Sequence, residues 1–206
     1  MLDRYITPLI KPAMDSMASA LARRGVRADH VTLAAFAIGI IAMICIALRA
    51  YPMAAILILA SRLCDALDGA VARQSEATDA GGFLDIVLDF LFYAGIVLAF
   101  AFATPKVNAL PAAVLLMTFV GTTSSFLAFA MLAAKRGIKS MEYPDKAFYF
   151  LGGLAEATET LLVFIAMCIW PRWFPQLAYV FAVLCIITTF TRIVGGYQTL
   201  QTVREK

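Results

Sequence analysis

The chain alternates long apolar runs with short polar breaks, and the runs share one length class. Six stretches, 31–49, 53–75, 82–104, 109–134, 147–170 and 174–199, come near the roughly twenty residues that cross a bilayer as a helix. Connections 50–52 and 171–173 are very short, and each carries a proline, Pro52 and Pro171, that reads as a helix stop. Residues 1–27 follow another pattern. Leu2, Tyr5, Ile6, Leu9 and Ile10 form an apolar stripe at helical spacing, continued by Met14, Met17 and Leu21. Arg4, Lys11, Asp15, Arg23 and Arg24 take the opposite face. This segment is too interrupted to span, so it is predicted to lie on the bilayer surface, bent at Pro8 and Pro12. The pattern therefore predicts one all-α integral membrane domain over 1–206. An N-terminal interfacial amphipathic helix, 1–27, precedes a six-helix transmembrane bundle, 28–206.

Composition agrees with that pattern. The chain is 62% hydrophobic and 15% charged, with a mean hydropathy of +0.84; a soluble domain would be about a quarter charged. The start, MLDRYITPLIKP, has no uninterrupted apolar core or small-residue cleavage site, so no cleaved signal is expected. Cys45, Cys64, Cys168 and Cys185 all lie in apolar runs without a CxxC pair, and read as small buried hydrophobes. With no basic stripe, nucleic acid is not an expected partner.

Charge sets the predicted orientation. With both termini placed in the cytoplasm, one side carries Arg4, Lys11, Arg23, Arg24, Arg27, Arg73, Lys135, Arg136, Lys139, Lys146, Arg204 and Lys206. The other side carries Arg49, Lys106 and Arg172. That asymmetry follows the positive-inside rule and predicts a multi-pass protein of a bacterial inner membrane. Trp170 and Trp173 fit an aromatic belt at the outer edge.

Against this apolar background stands one charged segment, DALDGAVARQSEATDAGGFLDIVLD, from Asp65 to Asp89. A charged carboxylate within a membrane helix costs about 3 kcal/mol or more, so intramembrane acids are read first as functional. Asp65, Asp68, Gly69 and Ala72 fall at i, i+3, i+4 and i+7, one face of span two. Asp85 and Asp89, at i and i+4, share a face of span three. The short link near 76–81 makes the two helices antiparallel and brings both pairs to the cytoplasmic end. Hard oxygen donors at this spacing suit Mg²⁺ or Mn²⁺ rather than zinc. Two such ions about 4 Å apart could clamp the attacking and leaving oxygens of a phosphoryl displacement. Small residues at Gly69 and Ala72 leave room for a flat group, and Arg73 can pair with a phosphate. Two other readings use the same acids: a charge-balanced cluster with Arg62, Arg73 and Arg192, or a membrane cation-binding or transport protein. Transport sites favour the midplane and broken helices, whereas these acids sit at one edge of unbroken ones.

The segment resembles the signature of the CDP-alcohol phosphotransferases, D-x2-D-G-x2-A-R-x8-G-x3-D-x3-D. Here it is carried by Asp65, Asp68, Gly69, Ala72, Arg73, Gly81, Asp85 and Asp89, with seven residues instead of eight between Arg73 and Gly81. The resemblance implies a metal-dependent transfer of a phosphatidyl group from a CDP-linked lipid, usually CDP-diacylglycerol, to an alcohol, with release of CMP. It implies that Asp65, Asp68, Asp85 and Asp89 hold the metals and that Asp89 is also the general base. By the same resemblance Gly69 and Ala72 admit the cytidine and Arg73 binds the diphosphate, with Asp65 and Thr78 also at the donor. Homodimers are common in the family. The acceptor is left open among small alcohols, sugar phosphates and a second lipid.

Further polar residues lie outside the signature. Asp29 is placed to cap span one, and His30, the sole histidine, reads as interfacial. Glu156 and Glu159 share a face inside span five, about 15 Å from its cytoplasmic start. They read either as a polar wall of an acceptor cavity or as an internal contact with Thr122, Thr123, Ser124 or Ser125. Arg192, near the cytoplasmic end of span six, reads as an acceptor-phosphate ligand or as charge balance for the aspartates. Gly195 and Gly196 permit close helix approach.

Overall fold

A computed structural model describes residues 3–74, 78–136 and 155–202, with side chains from Lys11 to Gln201 apart from Ala13. Leu2, Lys139, Lys146, Arg204, Lys206 and residues 147–154 of the expected fifth span lie outside the described residues. Among the described residues seven α-helices follow in order: α1 Asp3–Arg23, α2 Ala28–Ala47, α3 Tyr51–Gln74, α4 Asp79–Ala103, α5 Pro105–Lys135, α6 Ala157–Ile169 and α7 Phe174–Thr202. Among the described residues there is no strand. Four segments, α2, α4, α5 and Pro171–Gln201, are long and apolar enough to cross a membrane. The chain is thus an all-helical, multi-pass membrane protein. Large outward side chains such as Leu48 at 75% and Phe102 and Phe190 at 67% exposure fit a lipid surround better than water.

The breaks between helices differ in detail from expectation. Pro52 stands in the first turn of α3 instead of ending α2. The stop is made by Arg49, whose φ of +62° is left-handed. Arg49 N–H donates to Ile46 C=O and Ala50 N–H to Cys45 C=O, closing the last turn. The Arg49 side chain then donates to Ala103 C=O at 2.9 Å, tying this turn to the end of α4. α1 runs unbroken through Pro8 and Pro12 and ends the same way, at Gly25 with φ +73°. Val26 N–H reaches Leu21 C=O at 3.2 Å there.

α1 is not a detached segment. Ala18 is fully buried, and Met14 and Leu21 pack on Leu67, Ala70 and Val71 of α3. Gln74 amide N–H donates to Asp15 C=O at 2.9 Å. The larger core lies toward the other end of the bundle. Tyr51, Phe100 and Phe174 stack there, with centroids 5.9 and 4.8 Å apart. Between α5 and α7 the helices approach closely: a Cβ at Gly121 would lie 3.1 Å from Thr189, and one at Gly196 3.1 Å from Phe129.

The packing that matters most for the site is α2 against α3 and α4. The Ser61 hydroxyl of α3 donates to Ala35 C=O of α2 at 2.8 Å, fully buried. Gly39 of α2 receives the ring of Phe92 from α4; a Cβ there would stand 2.6 Å from the ring. Phe92 is fully enclosed. Gly39→Ala is therefore expected to cost about 1–3 kcal/mol of stability by overpacking. A thermal unfolding midpoint in detergent unchanged from wild type would contradict this.

Candidate active site

The acids of α3 and α4 converge as the helical spacing predicts. One carboxylate oxygen each from Asp65, Asp68 and Asp85 lies within 4.8 Å of the others. Asp68 is 5% exposed, and its Oδ2 is buried without a hydrogen-bond partner. A buried acceptor left in that state calls for a cation or a donor. Three hard oxygens within reach of a single point fit a Mg²⁺- or Mn²⁺-sized ion, with water and phosphate oxygens completing its shell.

Asp89 lies one turn further along α4 and does something different. One of its oxygens is bonded to the guanidinium of Arg62. Arg62 also lies 3.4 Å from Asp65 Oδ2 and 3.3 Å from Ser61 Oγ. Its guanidinium carbon sits 3.8 Å above the Phe92 ring. Only 11% of the Arg62 side chain is exposed. From the sequence Arg62 stands out only as a cation within an apolar run that could balance charge. Its role as a link between the two aspartate pairs is a tertiary fact. The signal was its place three residues before Asp65, one turn away on the same face.

Two cavities meet at these acids. The smaller, about 500 Å³, is lined by Asp68, Gly69, Ala72, Thr78, Gly81 and Asp85 together with Arg27, Ala28, Asp29, Thr32 and Gly82. Thr78 is the N-cap of α4, its hydroxyl accepting from Gly81 N–H at 3.0 Å. Arg73 is exposed one turn beyond Gly69, its Nη1 3.5 Å from where a Gly69 Cβ would stand. Asp29 does not cap α2, which starts a residue earlier behind Arg27. It pairs with Arg27 at 2.9 Å and faces Gly81 instead. His30 is exposed.

The larger cavity, about 830 Å³, opens between α4, α5, α6 and α7. Asp85 and Asp89 line it at one end, Glu156, Thr160 and Arg192 elsewhere, and Phe90, Phe119 and Phe126 supply apolar walls. Glu156 is not inside a helix as expected; it is the extended N-cap residue of α6. Glu159, in the first turn of α6, is half-buried but is not among the residues lining this cavity. Arg192 donates to Thr122 C=O of α5 at 3.1 Å. Asp85 alone lines both cavities.

A bundle of apolar helices with an acidic cluster between two cavities fits a membrane-embedded site for a divalent cation and a phosphate-bearing ligand. A family model for CDP-alcohol phosphatidyltransferase matches residues 26–194, and the chain belongs to that family. It is a transferase of substituted phosphate groups. It is 50% identical over 206 residues to "Inner membrane protein YnjF" of Escherichia coli K12, covering all of both chains. It is 32% identical over 97 residues to the archaetidylinositol phosphate synthase of Pyrococcus horikoshii, 47% of this chain and 52% of that one. In three dimensions it resembles Mycobacterium tuberculosis phosphatidylinositol phosphate synthase, solved with CDP-DAG bound. That match has a TM-score of 0.66 at 19% identity and covers 89% of this chain and 93% of the other.

Gly81 is where a side chain would do most local harm. A Cβ there would stand 2.8 Å from Asp29 Oδ1 and 3.1 Å from Thr78 Oγ1. Gly81→Ala is expected to displace the Thr78 cap, at about 1 kcal/mol, and to narrow the smaller cavity. Adding Asp29→Ala should restore part of the loss, seen as a positive coupling in a double-mutant cycle of unfolding midpoints. Strict additivity of the two changes would contradict the close approach.

Proposed function

We propose that this chain transfers a phosphatidyl group from a CDP-diacylglycerol-type donor to an alcohol acceptor, releasing CMP, as a step of phospholipid synthesis. The observation that carries the reading is the position of Asp85, with its partner acids, at the wall shared by two cavities. The smaller cavity has the small residues Gly69 and Ala72 and the Thr78 hydroxyl that suit a nucleotide, with Arg73 at the same face for the diphosphate. The larger has the apolar wall and the polar groups of Glu156 and Arg192 that suit an acceptor beside lipid. Glu159, set apart from that lining, is assigned the internal polar contact.

Asp65, Asp68 and Asp85 would hold a divalent ion, Mg²⁺ or Mn²⁺. When bound, it neutralises charge on the diphosphate and on departing CMP. The chain's own groups do the rest. Asp89 takes the proton of the acceptor hydroxyl as its oxygen bonds to the phosphorus nearer the diacylglycerol. The bridging P–O bond breaks and its electron pair leaves with CMP. Arg62 holds one Asp89 oxygen and thereby fixes the carboxylate's orientation.

The same reading sets the protein in a bacterial inner membrane with both termini and the acids on the cytoplasmic side, where the positive residues gather. It counts six crossings. α3, at 24 residues, is long enough at about 1.5 Å per residue, and its acids are confined to one end. The stretch 147–170, of which α6 is the described part, makes the sixth. α1 lies at the cytoplasmic interface against α3.

The test is CMP release from CDP-diacylglycerol by purified protein with Mg²⁺ or Mn²⁺ and a panel of alcohols. Release is expected to depend on both acceptor and ion. Asp89→Asn should lower it about 10²–10⁴-fold. Absence of release with every acceptor, in protein that binds the donor, would overturn the proposal.

A further inference from the structure

We infer that the Arg62 guanidinium stands where a second divalent ion would bridge Asp65 and Asp89, so that this site binds one ion and not two. The inference rests on the metal-dependent transfer proposed for these acids. Four carboxylates would allow a two-ion site, in which the ions share ligands and lie close together. In this chain the four are not equivalent. Asp65, Asp68 and Asp85 offer oxygens within 4.8 Å of one another, and Asp68 Oδ2 is buried with no partner. That is a place for one cation. Asp89 is instead bonded to Arg62, which also reaches Asp65 Oδ2 at 3.4 Å. The guanidinium therefore spans the two carboxylates that a second ion would have to bridge.

Arg62 is built in, not loosely parked. It is stacked 3.8 Å over Phe92 and touches Ser61 Oγ at 3.3 Å. Ser61 and Phe92 are both fully buried, and Phe92 is seated against Gly39. The two carboxylate contacts of Arg62 also fix Asp89 beside the larger cavity without a metal bond. Arg62 is thus a positioning residue that acts through Asp65 and Asp89.

Ion counting tests this without reference to turnover. The purified full-length chain in detergent micelles is titrated with Mn²⁺, and free ion is read by electron paramagnetic resonance. Wild type is expected to saturate at one Mn²⁺ per chain. Arg62→Met should saturate at two, with the line broadening of neighbouring spins. Asp89→Asn should keep one ion with Kd within about twofold of wild type, a change well under 1.4 kcal/mol. Two ions in wild type, any count but two in Arg62→Met, or more than about tenfold weaker binding in Asp89→Asn would overturn the inference. If Arg62→Met does not purify, the wild-type and Asp89→Asn counts decide. Wild type that binds no Mn²⁺ would overturn the metal-dependent reading itself, a result distinct from a count of two.

Discussion

Four carboxylates held at the end of an apolar bundle need a compensating charge, and the fold supplies it from within. Arg62 lies between α3 and α4 and bonds one acid from each, Asp65 and Asp89. A buried ion pair is worth little by itself, but an acid left unpaired in such surroundings is costly. The pairing is possible because the guanidinium has a surface to rest on, the Phe92 ring. That ring has a place because α2 offers Gly39 in front of it. A glycine on one helix thus reaches the acids through a phenylalanine on a second and an arginine on a third. Changes at any of these positions act on the site without touching a substrate.

The two cavities give the arrangement its direction. One is small, flanked by glycines and the start of α4, and suits a flat polar group. The other is larger, walled by phenylalanines, and opens among helices whose outer faces are apolar. The proposed transfer, which splits a nucleotide from a lipid phosphate and hands that phosphate to an alcohol, needs both kinds of space on either side of one reacting phosphorus. Asp85 is the residue they have in common. Its position on α4, one turn before Asp89, puts a single helix face at the edge of both spaces.

Much of this was legible in the chain, and the limits have physical causes. The helices could be read because lipid demands long apolar runs: five of the six expected stretches match α2, α3, α4, α5 and α7 to within a few residues, and four of these are long and apolar enough to cross a membrane. The acids could be read because helical period and a short link leave them little freedom. What escaped depends on contacts between distant residues. The Arg62 pairing needs α4 in place. Asp29 reads as a cap from its place before the apolar run, but α2 begins at Ala28, which moves Asp29 into the first turn and toward Gly81. Glu156 sits in an apolar context that reads as mid-helix, yet α6 begins just after it, and Ala155 N–H is held by the Thr188 hydroxyl at 3.1 Å. Proline looked like the stop after span one, whereas Arg49 makes the turn because its side chain finds Ala103 C=O.

The shortened spacing between Arg73 and Gly81 shows which parts of the signature are set by what. If the link fixed the register of α4 on α3, losing one residue would rotate Asp85 and Asp89 away from Asp65 and Asp68. The three acids nonetheless meet. Their register is set instead by α2, which holds α3 through Ser61 and Ala35 and α4 through Phe92 and Gly39. The start of α4 is fixed independently by the Thr78 cap and by the fit of Gly81 against Asp29. The acids keep their places because a third helix, not the connecting chain, aligns the two that carry them.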